Sequence, residues 1–288
     1  MNLLLLFILG SLVGSFLGVI SDRYREDLPI WDRKVIGGIK GESSRSRCEF
    51  CKKKLSWFEL IPFFSFIFQG GRCRSCRHWI GWRYLFFEGI TGLIFVAVPL
   101  GINYFYLPPV TYYLLSALWI SVFSVLFLVS LIDIRLRIIP DEANLFLALL
   151  GILIAWIQPF GELSGSFIEH YAMLFGLRSN VWVNHFAASA AAGLFFIALI
   201  AITRGKGMGG GDMKLAIALG MVFGWPDIIF VAVVSFVIGS VFGIGAMALK
   251  KEKLKSKVAF GPFLAASALI IFLFGYQITN FYFGLFGM

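Results

Sequence analysis

Apolar residues gather into runs at about 3–20, 84–103, 111–132, 142–158, 183–203, 212–225, 227–249 and 259–284. A helix crosses the hydrocarbon of a bilayer with ~17–25 such residues. The pattern therefore predicts an all-α polytopic membrane protein of about eight transmembrane helices. The sixth run is short and glycine-rich, and Trp225-Pro226-Asp227 separates it from the seventh. Proline cannot continue a helix, so the triplet reads as a tight turn; one kinked helix there would reduce the count to seven. Residues 21–83 break the apolar pattern: they are polar and basic and hold all four cysteines. The expected organisation is a first helix over 1–20, a small zinc-ribbon-like insertion over 21–83, and a seven-helix membrane core over 84–288.

Composition agrees with a membrane bundle and excludes an ordinary soluble protein. Hydrophobic residues make up 59% of the chain and charged residues 14%, with a mean hydropathy of +0.86. The net charge of +9 is read as orientation, not as affinity for nucleic acid. With the N-terminus outside, the cytosolic segments are 21–83, 133–141, 204–214 and 250–258, and they carry 24 of the 25 Lys and Arg residues. The remaining one is Arg178, in the outer 159–182 loop. A seven-helix topology would place the five lysines of 250–258 outside, against the positive-inside rule. The first run lacks a preceding basic stretch and is followed by Arg23 and Arg25, as expected of a retained span rather than a cleaved signal.

The cysteines form two C-x-x-C pairs, Cys48/Cys51 and Cys73/Cys76, with 21 residues between them. Four thiolates so paired suit one tetrahedral Zn²⁺, which holds together a domain too small for an apolar core. The spacing is one residue beyond the usual ~15–20. Arg47, Lys52, Lys53, Arg72 and Arg74 flank the pairs and favour thiolates. Two disulfides are the alternative, but the charge pattern places this segment in the reducing cytosol. His78 reads as a solvated loop histidine beside a complete ligand set.

Four acids fall at or inside span ends: Glu88, Asp133, Asp141 and Asp212. Ionisable groups at membrane depth are costly and mark function. Asp133 ends the third run, at a helix C-terminus that disfavours negative charge; pairing with Arg135 or Arg137 would be its structural explanation. Asp141 follows Pro140 and is sufficiently explained as a first-turn acid of the next helix. Asp212 closes Gly207-Met208-Gly209-Gly210-Gly211-Asp212. Such glycines admit positive φ and close backbone approach; the phosphate-loop pattern is absent. Asp133 and Asp212 lie on one side of the membrane in this topology. Two carboxylates at one depth can share a proton, one activating water and the other polarising a carbonyl. No serine or zinc-protease motif competes, and His170 and His185 fall on the outer side.

These residues, taken in order, resemble the type 4 prepilin leader peptidases. The set comprises Gly14-Ser15-Phe16-Leu17, the two cysteine pairs with Ile61-Pro62 and Gly71-Arg72-Cys73-Arg74, Arg83-Tyr84 with Glu88, Asp133 with Pro140-Asp141, the Gly-x-Gly-Asp element Gly209–Asp212 with Lys214, and Phe260-Gly261-Pro262-Phe263. The resemblance implies a bacterial inner-membrane enzyme that removes the basic leader of type IV prepilins or pseudopilins after a glycine, on the cytosolic side. Asp133 and Asp212 match its catalytic aspartates; Gly209, Gly211, Lys214, Asp141 and Glu88 match recurrent positions. Many members also methylate the new N-terminus with S-adenosylmethionine, an activity associated with the cysteine domain. Departures are Gly18 for Asn, and Glu49, Leu85 and Ala259 for Pro. The leader and this cytosolic face are both basic, so recognition is expected to rest on the substrate's apolar helix, with an acidic residue of the mature pilin meeting Arg135, Arg137 or Lys214. Other readings are a presenilin-type protease, for which no Pro-Ala-Leu element is present, and a non-enzymatic carrier or sensor.

Overall fold

The computed structural model describes residues 2–36, 48, 50–79, 81–102, 108–157, 166–168, 171–172, 175–176, 180–205, 207–248 and 258–285. Arg47, Glu49, His170, Arg178 and the basic stretch 250–257 lie outside them. The helices are α1 (Leu3–Arg23), α2 (Arg33–Ile36), α3 (Phe64–Phe68), α4 (Arg83–Ile102), α5 (Pro109–Leu136), α6 (Asp141–Ile157), α7 (Val181–Thr203), α8 (Gly210–Phe223), α9 (Asp227–Ala248) and α10 (Gly261–Gly284), with a 3-10 turn at Trp57–Leu60. Each of the eight apolar runs corresponds to one long helix. Among the described residues there is no strand, only an isolated bridge between Arg72 and Trp79.

Six of these helices are long and apolar enough to cross a membrane. The other two are α6, with 17 residues, and α8, with 14. At 1.5 Å per residue α8 is about 21 Å long, short of the ~30 Å hydrocarbon layer. It is sheathed by protein, with Leu215, Ala216 and every residue from Ala218 to Phe223 buried. Backbone that ends within membrane depth is tolerated where protein or a water-filled cavity surrounds it.

By internal packing the chain divides into two compact units, Met1–Pro99 and Leu100–Met288. In the first, α1 presses a stripe of small residues against α4. A Cβ on Gly14 would lie 2.5 Å from the Phe87 carbonyl oxygen, so only glycine permits this approach. Gly18 has a similar explanation: a Cβ there would come within 2.8 Å of the Phe87 ring, so the Asn expected from the resemblance would need that ring to move. The end of α1 is fastened by Asp22, which takes hydrogen bonds from Arg83 and from the Tyr84 hydroxyl.

In the second unit, α5, α8, α10 and the segment at Phe167 pack through an aromatic cluster of Trp119, Phe123, Phe167, Phe223 and Phe272, whose ring centroids lie 4.8–5.9 Å apart in the contacting pairs. Helices α6 and α8 run in the same direction. Asp141 pairs with Lys214 at their N-terminal ends, and Gly151 lies against the Met221 carbonyl further along. The N-termini of α6, α8 and α10 therefore gather with the C-terminus of α5 at one end of the bundle.

Candidate active site and metal centre

Asp133 and Asp212 both sit at this end. The sequence pattern stops the third span at Asp133, but α5 continues to Leu136 and closes with Arg137 in a left-handed conformation at φ 58°. Asp133 is therefore inside the last turn, 4% exposed. Its Oδ2 accepts a 2.9 Å hydrogen bond from the backbone N–H of Gly261, the first residue of α10. Among the described residues, this backbone N–H is the hydrogen-bond support of the carboxylate. The N-terminal end of α10 also offers the positive pole that α5 withholds.

Asp212 occupies the first turn of α8, and its Oδ2 accepts a 3.1 Å bond from the Gly209 N–H. The preceding glycines do not use positive φ; Gly205, further upstream, does. Their contribution is space. A Cβ on Gly211 would lie 3.3 Å from Cβ of Ile139, and one on Gly261 would lie 3.4 Å from Cδ1 of the same Ile139. One isoleucine thus touches the backbone next to both acids, and the carboxylates are close enough for the charge of Asp212 to act on Asp133.

Asp141 opens α6, as expected, and has a partner the sequence did not reveal. Both its oxygens accept from Lys214 Nζ, at 2.8 and 2.7 Å. This leaves Lys214 already engaged, which weighs against it as the residue that meets an acidic pilin side chain. Glu88 belongs to the first unit. It is buried there, accepting from the Phe63 N–H at 2.9 Å and from the Ser15 hydroxyl. It joins the Gly-Ser-Phe-Leu segment to the loop after Ile61-Pro62.

The four cysteines come together. They are not disulfide-bonded, and their sulfurs lie within 4.8 Å of one another, with Cys48–Cys76 at 3.8 Å and Cys51–Cys73 at 4.0 Å. A tetrahedral ion with metal–sulfur bonds of about 2.3 Å needs sulfurs about 3.8 Å apart, so the donor set fits. Both pairs turn alike. The Lys52 N–H bonds to the Cys48 carbonyl at 3.0 Å, and the Arg77 N–H bonds to the Cys73 carbonyl at 2.9 Å. Both Lys52 and Arg77 have positive φ. The N–H groups of Cys76 and Ser75 lower the Cys73 thiol to about 7. At Cys76 the His78 N–H also lowers, but burial and the neighbouring sulfurs prevail and push the thiol up to about 11. Sulfurs this close cannot all ionise unless a cation joins them. His78 is not a ligand here; its ring stacks on Phe50 at 4.2 Å.

Residues 120–244 match the model of the type IV leader peptidase family, and residues 8–102 that of the bacterial peptidase A24 N-terminal domain. The prepilin leader peptidase/N-methyltransferase of Bacillus subtilis (strain 168) is 30% identical over 280 residues, covering 96% of both chains. The chain belongs to the type IV leader peptidase family. Prepilin leader peptidase/N-methyltransferases from Aeromonas salmonicida (strain A449) and Pseudomonas aeruginosa are 29% and 28% identical, each over 96% of this chain and 92% and 91% of theirs. No solved structure matches. Membership in a family of aspartic peptidases sets the carrier-or-sensor reading aside.

Sequence reasoning missed two features of this leader peptidase. Gly261 was visible as part of a motif, but nothing local says that its N–H reaches residue 133. Asp227 is a further buried acid, 1% exposed, and accepts from the Ser166 hydroxyl at 2.9 Å. It caps a connecting segment near the far end of α8, about 17 Å along that helix from Asp212, and has a structural role.

Proposed function

We propose that this enzyme cleaves the basic leader from type IV prepilins or pseudopilins with Asp133 and Asp212 as its catalytic pair. It would act at the cytosolic face of the bacterial inner membrane, with its N-terminus outside. The observation that carries the reading is the convergence of the two carboxylates at one end of the bundle, each held by one backbone N–H. In such a pair one ionised carboxylate removes a proton from water, and the resulting hydroxide attacks the scissile carbonyl. The protonated partner hydrogen-bonds the developing oxyanion, and the leaving amine then takes up a proton. Asp141, Lys214, Gly209 and Gly211 support the geometry, and Glu88 supports the first unit.

Zinc is the metal that best suits four thiolates in a tetrahedron. Cys48, Cys51, Cys73 and Cys76 would hold it as a structural ion. S-adenosylmethionine, the methyl donor implied by the N-methyltransferase name of the relatives, would supply a methyl group to the new N-terminal amine. A cavity of about 690 Å³ beside the cysteines is lined by Arg72, Arg74 and Arg77 and has no carboxylate among its lining residues. That lining does not suit a sulfonium cation.

Asp133→Asn and Asp212→Asn should each abolish leader removal while the protein still inserts and folds. Normal processing by either variant would refute the dyad. A mass spectrum of a co-expressed pilin N-terminus reads cleavage and methylation together.

A further inference from the structure

Asn144 is a buried amide whose side chain makes no hydrogen bond among the described residues. It is 7% exposed, yet among the described residues neither its Oδ1 nor its Nδ2 has a hydrogen-bond partner. Proteins pair nearly all such groups, because an unmade bond in a dry interior is costly. A buried amide left unpaired within its own chain calls for a specific explanation.

Its position supplies one. Asn144 lies three residues inside α6, counted from Asp141, and Asp133 lies three residues from the end of α5. Only residues 137–140 join these antiparallel helices. Both residues therefore sit about 5 Å in from the same end, and Asp212, two residues into α8, sits about 3 Å in. Direction follows from the helical period. Asn144 and Gly151 are seven residues apart, so their side-chain directions differ by about 20°. Gly151 abuts the α8 backbone, where a Cβ would lie 2.6 Å from the Met221 carbonyl oxygen. Asn144 accordingly points from α6 toward α8, the helix that carries Asp212, at the depth of the acids.

The geometry points to Asn144 as a substrate-binding residue that hydrogen-bonds the main chain of the prepilin beside the scissile bond. A carboxamide presents one acceptor and a donor side by side, the complement of a peptide unit. An extended substrate reaching Asn144 at the N-terminal ends of α6 and α8 would satisfy both atoms and be held in register with the dyad. This inference rests on the peptidase reading above.

The test measures kcat and KM for cleavage of a purified prepilin by Asn144→Leu and Asn144→Thr, with Asp212→Asn alongside, and the thermal midpoint of each in the same detergent. Leucine is near-isosteric and apolar; threonine keeps one donor and one acceptor. The expected result is a loss in kcat/KM of about 10-fold or more for Leu, less for Thr. The Leu variant should keep the wild-type midpoint or exceed it, since it removes an unpaired amide. Wild-type cleavage by Asn144→Leu with an inactive Asp212→Asn overturns this inference alone. So does activity that falls in step with the midpoint in both variants, which would mark a purely structural residue. An active Asp212→Asn would instead overturn the dyad on which the inference rests.

Discussion

Replacing Gly261 with Ala tests the site's geometry most directly, because the expected effect can be worked from distances. The Gly261 N–H, 2.9 Å from Asp133 Oδ2, survives the change. The new Cβ would lie 2.8 Å from that same oxygen. Carbon and oxygen tolerate about 3.3 Å, so the carboxylate must retreat by roughly 0.5 Å. The same Cβ would already be in van der Waals contact with Ile139 Cδ1 at 3.4 Å. A misplacement of 1 Å in a catalytic group can cost about 100-fold. A carboxylate that also lengthens its charged hydrogen bond should lower kcat by roughly 10- to 100-fold, or about 1.4–2.7 kcal/mol. KM should change little, because Asp133 acts on water and the carbonyl rather than on the apolar helix. Overpacking would cost about 1–3 kcal/mol of stability, read by thermal unfolding. Ile139→Val added to Gly261→Ala loosens the contact with Ile139 but leaves the clash with Asp133, so the double variant should stay impaired. Gly210→Ala is the steric control within the protein, with no atom within 4 Å of the new Cβ; its stability should hold or rise. Wild-type kcat in Gly261→Ala, at an unchanged midpoint, would refute the claim that the close approach of the Gly261 backbone fixes the position of Asp133.

The remaining expectations concern the charged pair and the cysteines. Lys214 and Asp141 have side chains 49% and 69% exposed, so Lys214→Ala should cost no more than about 1 kcal/mol of stability, and its effect on cleavage should be far smaller than that of Asp212→Asn. Cys76→Ser should lose bound metal by elemental analysis and make residues 48–79 sensitive to protease, while cleavage by the second unit declines less than any methylation. Metal binding must expel the protons that the metal-free thiols carry. The metal-free state binds more protons, so affinity should fall as pH falls, and it should fall more steeply below about 7, where Cys73 also takes up its proton. Zinc titrations with a competing chelator at pH 6, 7 and 8 would show this; a pH-independent affinity would argue against thiolate ligation.

Much of this protein is legible one segment at a time. The positions of the eight helices follow from local hydrophobic runs, and the end shared by Asp133 and Asp212 follows from where the basic residues lie. The cysteine site could be named from spacing because a metal centre requires only four donors in two turns. Boundaries were less legible. Helix α5 runs one turn past its apolar stretch because Ile134, Arg135 and Leu136 continue a helix whether or not lipid surrounds them, and this moves Asp133 from a helix end to its buried last turn.

The sequence alone marked Asp133 and Asp212 as acids out of place in an apolar chain, because the cost of a charge in the membrane depends on its own surroundings. It could not determine what holds them. The N–H of Gly261 is 128 residues from Asp133 along the chain, Lys214 is 73 from Asp141, and Ile139 touches the backbone beside both Asp212 and Gly261. Helix packing alone decides such pairings, since it fixes which ends meet and at what depth. The same packing buries Asn144 at the level of the two carboxylates, a placement that no pattern of neighbouring residues announces.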